Sequence, residues 1–207
     1  GEGRSFCAGG DLGWMRAQMD ADAATRGREA RALAGMLGAL NRLSKPLIGR
    51  IQGQAFGGGV GLACVCDVAI GVRDAKFGLT ETRLGLIPAT IGPYVVARLG
   101  EAMARRVFMS ARIFKAEEAV RLGLLSRAVE ADDLDAAIDA EVRPYLSAAP
   151  GAVASAKALA LELGGTVTDA QIDATIAALV ARWESDEAQE GIAAFFGKRA
   201  PDWARDP

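Results

Sequence analysis

The chain has 207 residues, 51% of them hydrophobic, and a formal net charge of −2. That length suits one domain, or one domain with a helical extension, and the charge argues against non-specific nucleic-acid binding. There is no histidine, which excludes Ser-His-Asp and Cys-His catalysis and every His-containing zinc site.

The cysteines are Cys7, Cys64 and Cys66, an odd number, and Cys64-Val65-Cys66 lacks the two-residue spacer of redox or metal pairs. They read as small apolar filling in a reducing compartment. No signal peptide and no run of about 18 apolar residues is present, so a cytoplasmic protein without membrane contact is expected.

In chain order, residues 1–6 read as the turn that follows a strand, which implies that an N-terminal portion of the fold precedes Gly1. Residues 14–43 are predicted to be helical, at least in their second half, with Ala30, Leu33, Ala34, Leu37 and Leu40 at helical spacing. Ser44-Lys45-Pro46 ends that run. Residues 47–51 fit a buried strand, a glycine turn and a helix over about 58–66 follow, and 67–72 read as the next strand. This order suggests a βαβ crossover and a parallel sheet.

Beyond a loop around Pro88, helices are predicted over 94–99 and 101–110, split by Gly100. A helix over 115–122 ends at Gly123, and 124–129 read as a short strand. Helices are then expected over 132–147, interrupted by Pro144, and over 150–163, 168–184 and 186–196. The boundary falls near residue 130, with a sheet-containing core over 1–130 and a helical region over 131–207. Ile172, Ile176, Leu179 and Val180, then Ile192, Phe195 and Phe196, form apolar stripes that ask for a partner surface.

Two glycine-rich stretches carry the chemistry. Gly57, Gly58, Gly59 and Gly61 run into an apolar helical segment, and Phe6-Cys7-Ala8-Gly9-Gly10-Asp11-Leu12 forms a second such stretch. A helix start has amide N–H groups without intrahelical partners, and two such amides aimed at one oxygen make an oxyanion hole. The spacing is neither GxGxxG nor a P-loop, and a tight turn serving only packing is the alternative. Glu81, between Leu79 and Leu84, is the candidate acid–base group, because apolar surroundings raise a carboxyl's pKa; a solvated surface charge is its alternative. Asp11 and Asp67 fit capping or buried backbone contacts.

These segments, with Phe77-Gly78-Leu79-Thr80-Glu81-Thr82-Arg83-Leu84-Gly85-Leu86-Ile87-Pro88, residues 116–125 and residues 190–201, resemble the enoyl-CoA hydratase/isomerase (crotonase) superfamily along nearly the whole chain. The resemblance implies an α/β fold, a spiral of ββα repeats with a C-terminal helical trimerisation region. It implies acyl-CoA thioester substrates, no cofactor beyond the CoA of the substrate, no metal, and a homotrimer or dimer of trimers. By position it gives the oxyanion-hole amides to Gly10 and Gly58 and acid–base chemistry to Glu81. Substrate contacts would fall to Ala8, Asp11, Leu12, Gly57, Gly61 and Pro88, with the CoA nucleotide near Phe195 and Lys198. A second glutamate of family hydratases falls on Gly61, which has no side chain. One carboxylate suits isomerisation, whereas Gly61 together with residues 81–96 looks like bacterial methylglutaconyl-CoA hydratases. Hydration of a 2-enoyl-CoA, branched or glutaconyl-type, is therefore expected. The alternatives are a Δ3,Δ2-isomerase and a non-catalytic or hydrolytic protein on the same fold.

Overall fold

The computed structural model describes residues 1–165 and 167–204. Their strands make two sheets. The first has the order β1 (Ser5–Cys7), β3 (Gln54–Phe56), β5 (Lys76–Gly78), β6 (Ile113–Lys115), parallel except for the β5–β6 pair. The second, β2 (Ile48–Ile51), β4 (Val68–Val72), β7 (Arg127–Val129), is wholly parallel. The chain steps from β2 in one sheet to β3 in the other, returns through helix α3 (Gly58–Cys64) to β4, and steps again to β5. That alternation is a ββα repeat in an α/β fold.

The simple βαβ expectation is corrected by this topology. β2 and β4 are parallel neighbours, with Ile48 opposite Val68 and Ile51 opposite Gly71, but β3 intervenes and belongs to the other sheet. Gln54–Phe56 is too short to show an alternating pattern, and it is a strand because β1 and β5 flank it. For the same reason β1, β5 and β6, three residues each, leave no periodic trace.

The predicted helix over 14–43 is two helices, α1 (Leu12–Asp20) and α2 (Ala23–Asn41). Asp22 breaks it, its carboxylate accepting the Thr25 N–H at 2.7 Å as an N-cap. On α2 the stripe Ala30, Ala34, Leu37 is buried, whereas Leu33 is exposed. One turn ahead of Ala30, Arg26 is also buried.

The later helices lie close to their predicted places: α4 (Gly92–Leu99), α5 (Glu101–Phe108), α6 (Ala116–Arg121), α7 (Leu134–Val142), α8 (Pro150–Leu163), α9 (Asp169–Trp183) and α10 (Asp186–Phe196). The expected helix over 132–147 is α7 between two 3-10 turns, and Pro144 lies in the second. Of residues 124–129, Arg127–Val129 is strand.

The main core unites both sheets through Ile51, Ala55, Ile70, Phe77, Leu79 and Leu124. Helix α9 seals it against α2 with Ile172 and Ile176, both buried. Ile192 is fully buried in a second cluster with Leu86, Trp183 and Ala188, bordered by Met19, Leu84, Leu179 and Phe196. The late apolar stripes are thus largely covered by the chain itself. Leu179, Val180 and Phe196 are half-buried, and Phe195 alone among those stripe residues stays exposed. Cys64 and Cys66 are buried, and burial pushes their thiols up to about 12 and about 11, so they are inert filling. Among the described residues no helix is long and apolar enough to cross a membrane.

Candidate active site

Three parallel strands of the first sheet deliver the site, each from its carboxyl end, where ligands of parallel sheets gather. β1 is followed by Ala8-Gly9-Gly10, β3 by Gly57-Gly58-Gly59, and β5 by the 3-10 turn Glu81–Leu84. The first two turns meet backbone to backbone. A Cβ on Gly59 would lie 2.8 Å from both the Cβ and the carbonyl oxygen of Cys7, and one on Gly9 would lie 3.6 Å from the Phe56 oxygen. Any side chain at position 59 would wedge the two turns apart.

Gly57 and Gly58, adjacent in sequence, have different jobs. Gly57 has φ +49, which favours glycine, and its N–H is used by the sheet, donating to the Gly78 oxygen at 3.0 Å. Its own carbonyl accepts from Val60 and Gly61, the first bonds of α3. Gly58 opens α3, a Cβ there would meet nothing within 4 Å, and its N–H donates to no group among the described residues. The same holds for the Gly10 N–H, and Gly10 is exposed. Two unspent amides therefore stand on adjoining turns.

Glu81 completes the set. Its Oε1 lies 3.2 Å from where a Cβ of Gly57 would be, so the missing side chain there makes room for the carboxylate. The residue as a whole is half-buried, but its Oε2 is enclosed and has no hydrogen-bond partner among the described residues. Burial pushes the carboxyl up to about 7 from an ordinary 4.5, a shift partly offset by a bond from its own backbone. Its loop-like surroundings in the sequence are in fact a short 3-10 turn.

The remaining candidates divide. Asp11 is an N-cap, its Oδ1 accepting the Trp14 N–H at 2.8 Å, and Leu12 and Ala8 are exposed beside it. Asp67 is structural, its Oδ2 accepting from the Leu47 N–H at 2.7 Å and from Lys157 Nζ at 2.8 Å. Gly61 is buried, and a Cβ on it would sit 2.5 Å from Cγ2 of Ile91. Ile91 therefore occupies the space a side chain at position 61 would need, a role that no local pattern around residue 91 signals. Phe195 is exposed and edge-on to Phe196, whose ring lies 4.5 Å from the Arg16 guanidinium of α1. Lys198 is exposed with φ +52, while Arg199 is committed to Glu190 through two bonds.

An apolar groove of about 880 Å3 runs between α4, α5 and α9, with Thr82, Pro88, Val96, Phe108 and Ala174 in its walls. Gly10, Gly58 and Glu81 do not line it, but Thr82, the neighbour of Glu81, does. Among the described residues no cluster of three His, Cys, Asp or Glu side chains could hold a metal ion.

The family description "Enoyl-CoA hydratase/isomerase" matches residues 1–206. The chain belongs to that family. It is 33% identical over 198 residues to the crotonyl-CoA hydratase of Syntrophomonas wolfei, covering 95% of this chain and 75% of that protein. It is 39% identical over 163 residues to an enoyl-CoA hydratase of Alternaria alternata, covering 77% of this chain and 52% of that protein, so it spans about half of that relative's length. The crystal structure of an enoyl-CoA hydratase from Mycobacterium avium superposes with a TM-score of 0.86 at 33% identity, covering 98% of this chain and 76% of that one. The fold is thus the crotonase fold, and the chain is an enzyme of the hydratase/isomerase family.

Proposed function

We propose that this chain hydrates a 2-enoyl-CoA thioester, with the N–H groups of Gly10 and Gly58 as the oxyanion hole and Glu81 as the single acid–base group. The observation that carries this reading is the enclosed, partnerless Oε2 of Glu81 beside the turn that bears Gly58. A buried carboxyl without a partner is costly, and acid–base chemistry is the use that accounts for it.

In this scheme the thioester oxygen accepts both amide hydrogen bonds. Ionised Glu81 removes a proton from water as the resulting hydroxide bonds to C3, and the C2–C3 π electrons move toward the thioester as an enolate. The hole stabilises the charge gathering on oxygen, where fixed amides are worth most. Protonated Glu81 then gives its proton to C2, regenerating the carboxylate. A pKa near 7 keeps both forms populated at neutral pH, which a group that takes and returns a proton requires. The nucleotide of CoA would lie against Phe195 and Lys198, beside α1.

Ile91 favours keeping one alternative, because it closes position 61 to a second carboxylate. One carboxyl moving a proton between C4 and C2 of a 3-enoyl-CoA would be an isomerase. A single assay separates the readings: absorbance at the conjugated-enoyl thioester band. Addition of crotonyl-CoA or 3-methylglutaconyl-CoA should give a loss of absorbance that Glu81→Gln removes. A gain from a 3-enoyl-CoA with no loss from either 2-enoyl substrate would replace hydration by isomerisation. No change with any of them would refute both.

A further inference from the structure

The Gly10 turn and the Glu81 turn are each tied to one corner of the chain, residues 182–185, where α9 ends and α10 begins. On the Glu81 side, Arg182 Nε donates to the Gly85 oxygen at 2.7 Å, and Gly85 is the residue that closes the Glu81 turn. Helix α10 lies on that turn at backbone distance. A Cβ on Gly191 would be 2.6 Å from the Leu84 carbonyl carbon, and one on Gly85 would be 2.5 Å from the Glu187 oxygen. With no side chain between them to give way, a shift of α10 passes directly to Glu81.

On the Gly10 side, Glu184 pairs with the buried Arg26. Arg26 Nε and Nη2 donate to the carbonyl oxygens of Gln18 and Met19 at 2.9 and 3.1 Å, in the last turn of α1. Helix α1 starts two residues after Gly10, and its one buried side chain is Gln18, which donates to Glu29 at 2.7 Å. Polar ties therefore hold this helix in place where a buried apolar face would ordinarily do so. Trp183 lies between the two sides: its ring is 5.6 Å from the Arg26 guanidinium, and its cluster includes Met19 of α1 and Leu84 and Leu86 of the Glu81 segment.

We propose that residues 182–185 together with Arg26 form a clamp that sets the position of Glu81 relative to the Gly10 amide, with Arg26 and Arg182 as positioning residues. This rests on the proposed function for what that spacing serves. A misplacement of about 1 Å costs a reaction on the order of 100-fold, so loosening either tie should lower kcat and leave binding of the CoA portion intact.

The test compares Arg182→Ala, Glu184→Gln and the control Arg31→Ala, which removes an exposed pair with Asp173 elsewhere between α2 and α9. For each, kcat, KM, the melting temperature and the titration of the Glu81 carboxyl by carbon-13 NMR would be measured, with Glu81→Gln assigning the signal. Arg182→Ala should lower kcat roughly 10- to 100-fold with KM within about threefold, and move the Glu81 titration below that of the parent protein as water reaches the turn. Glu184→Gln should lower kcat with the titration unmoved, because it acts on the Gly10 side. Arg182→Lys should recover part of the loss, and Arg31→Ala should match the parent. Parental kcat and titration in folded Arg182→Ala, or an equal kcat loss in Arg31→Ala, would overturn the clamp. If the parent turns over no enoyl-CoA, the hydratase reading fails and the Arg182→Ala titration alone decides the clamp. Should Arg182→Ala not fold, Arg182→Gln carries the same expectations.

Discussion

Glu81→Gln is expected to change how stability depends on pH as well as to stop turnover. The Glu81 carboxyl is pushed up to about 7 by burial, from an ordinary 4.5. Between those values the folded chain holds a proton at this position that the unfolded chain has lost. Stability therefore falls as pH rises through the window from 4.5 to 7. Raising the carboxyl from 4.5 to about 7 corresponds to an upper limit of about 3 kcal/mol, reached above pH 7. Part of the residue is solvent-exposed, which lowers the figure from that limit. Glutamine carries no charge, so its contribution is flat. Its amide brings donors to a place where Oε2 already lacks a partner, adding a constant cost of about 1–3 kcal/mol. The diagnostic is thus the slope and not the sign of the difference. Urea unfolding at half-unit steps from pH 4.5 to 8.5 should show the variant gaining on the parent by up to about 3 kcal/mol, with the gain complete just above pH 7. A pH-independent difference would mean that the carboxyl is not buried as described, and the acid–base argument would fall with it.

Neighbouring glycines should respond oppositely to alanine. Gly58→Ala, with open space around its Cβ, should keep stability within about 0.5 kcal/mol, whereas Gly59→Ala presses on the Cys7 backbone and should cost about 1–3 kcal/mol by chemical denaturation. Equal costs at the two positions would contradict the contact between the turns. Gly61→Ala should cost a similar amount through its clash with Cγ2 of Ile91 and be partly relieved by adding Ile91→Ala, which removes that atom; additive losses in a double-mutant cycle would show that Ile91 does not fill that space. The homotrimer or dimer of trimers expected from the family resemblance would have exposed apolar side chains such as Leu146, Met109, Leu163 and Phe195 to bury. Light scattering at micromolar concentration checks it, and a monomer would dismiss it.

The family, most of the helices and the residue types of the site are legible before any fold is known. Those features are written in local order: periodic stripes such as Ala30, Ala34 and Leu37, caps and glycine stops, and the three motifs around Gly10, Gly58 and Glu81. The tertiary structure decided what depends on residues far apart in the chain. Three-residue strands such as Gln54–Phe56 exist only through their neighbours, so the ββα alternation was not legible in them. Burial of Ile172, Ile176 and Ile192 required α2 and the Trp183 cluster to be in place; an apolar stripe does not state which surface will cover it. Arg26 left a faint trace as a charge in register with an apolar stripe, one turn before Ala30. The choice between Gly57 and Gly58 needed coordinates, because a hydrogen bond to Gly78 spends one amide and leaves the next free. The carboxyl of Glu81 likewise acquires its raised pKa from the enclosure around it, which forms only when the ends of three separate strands come together.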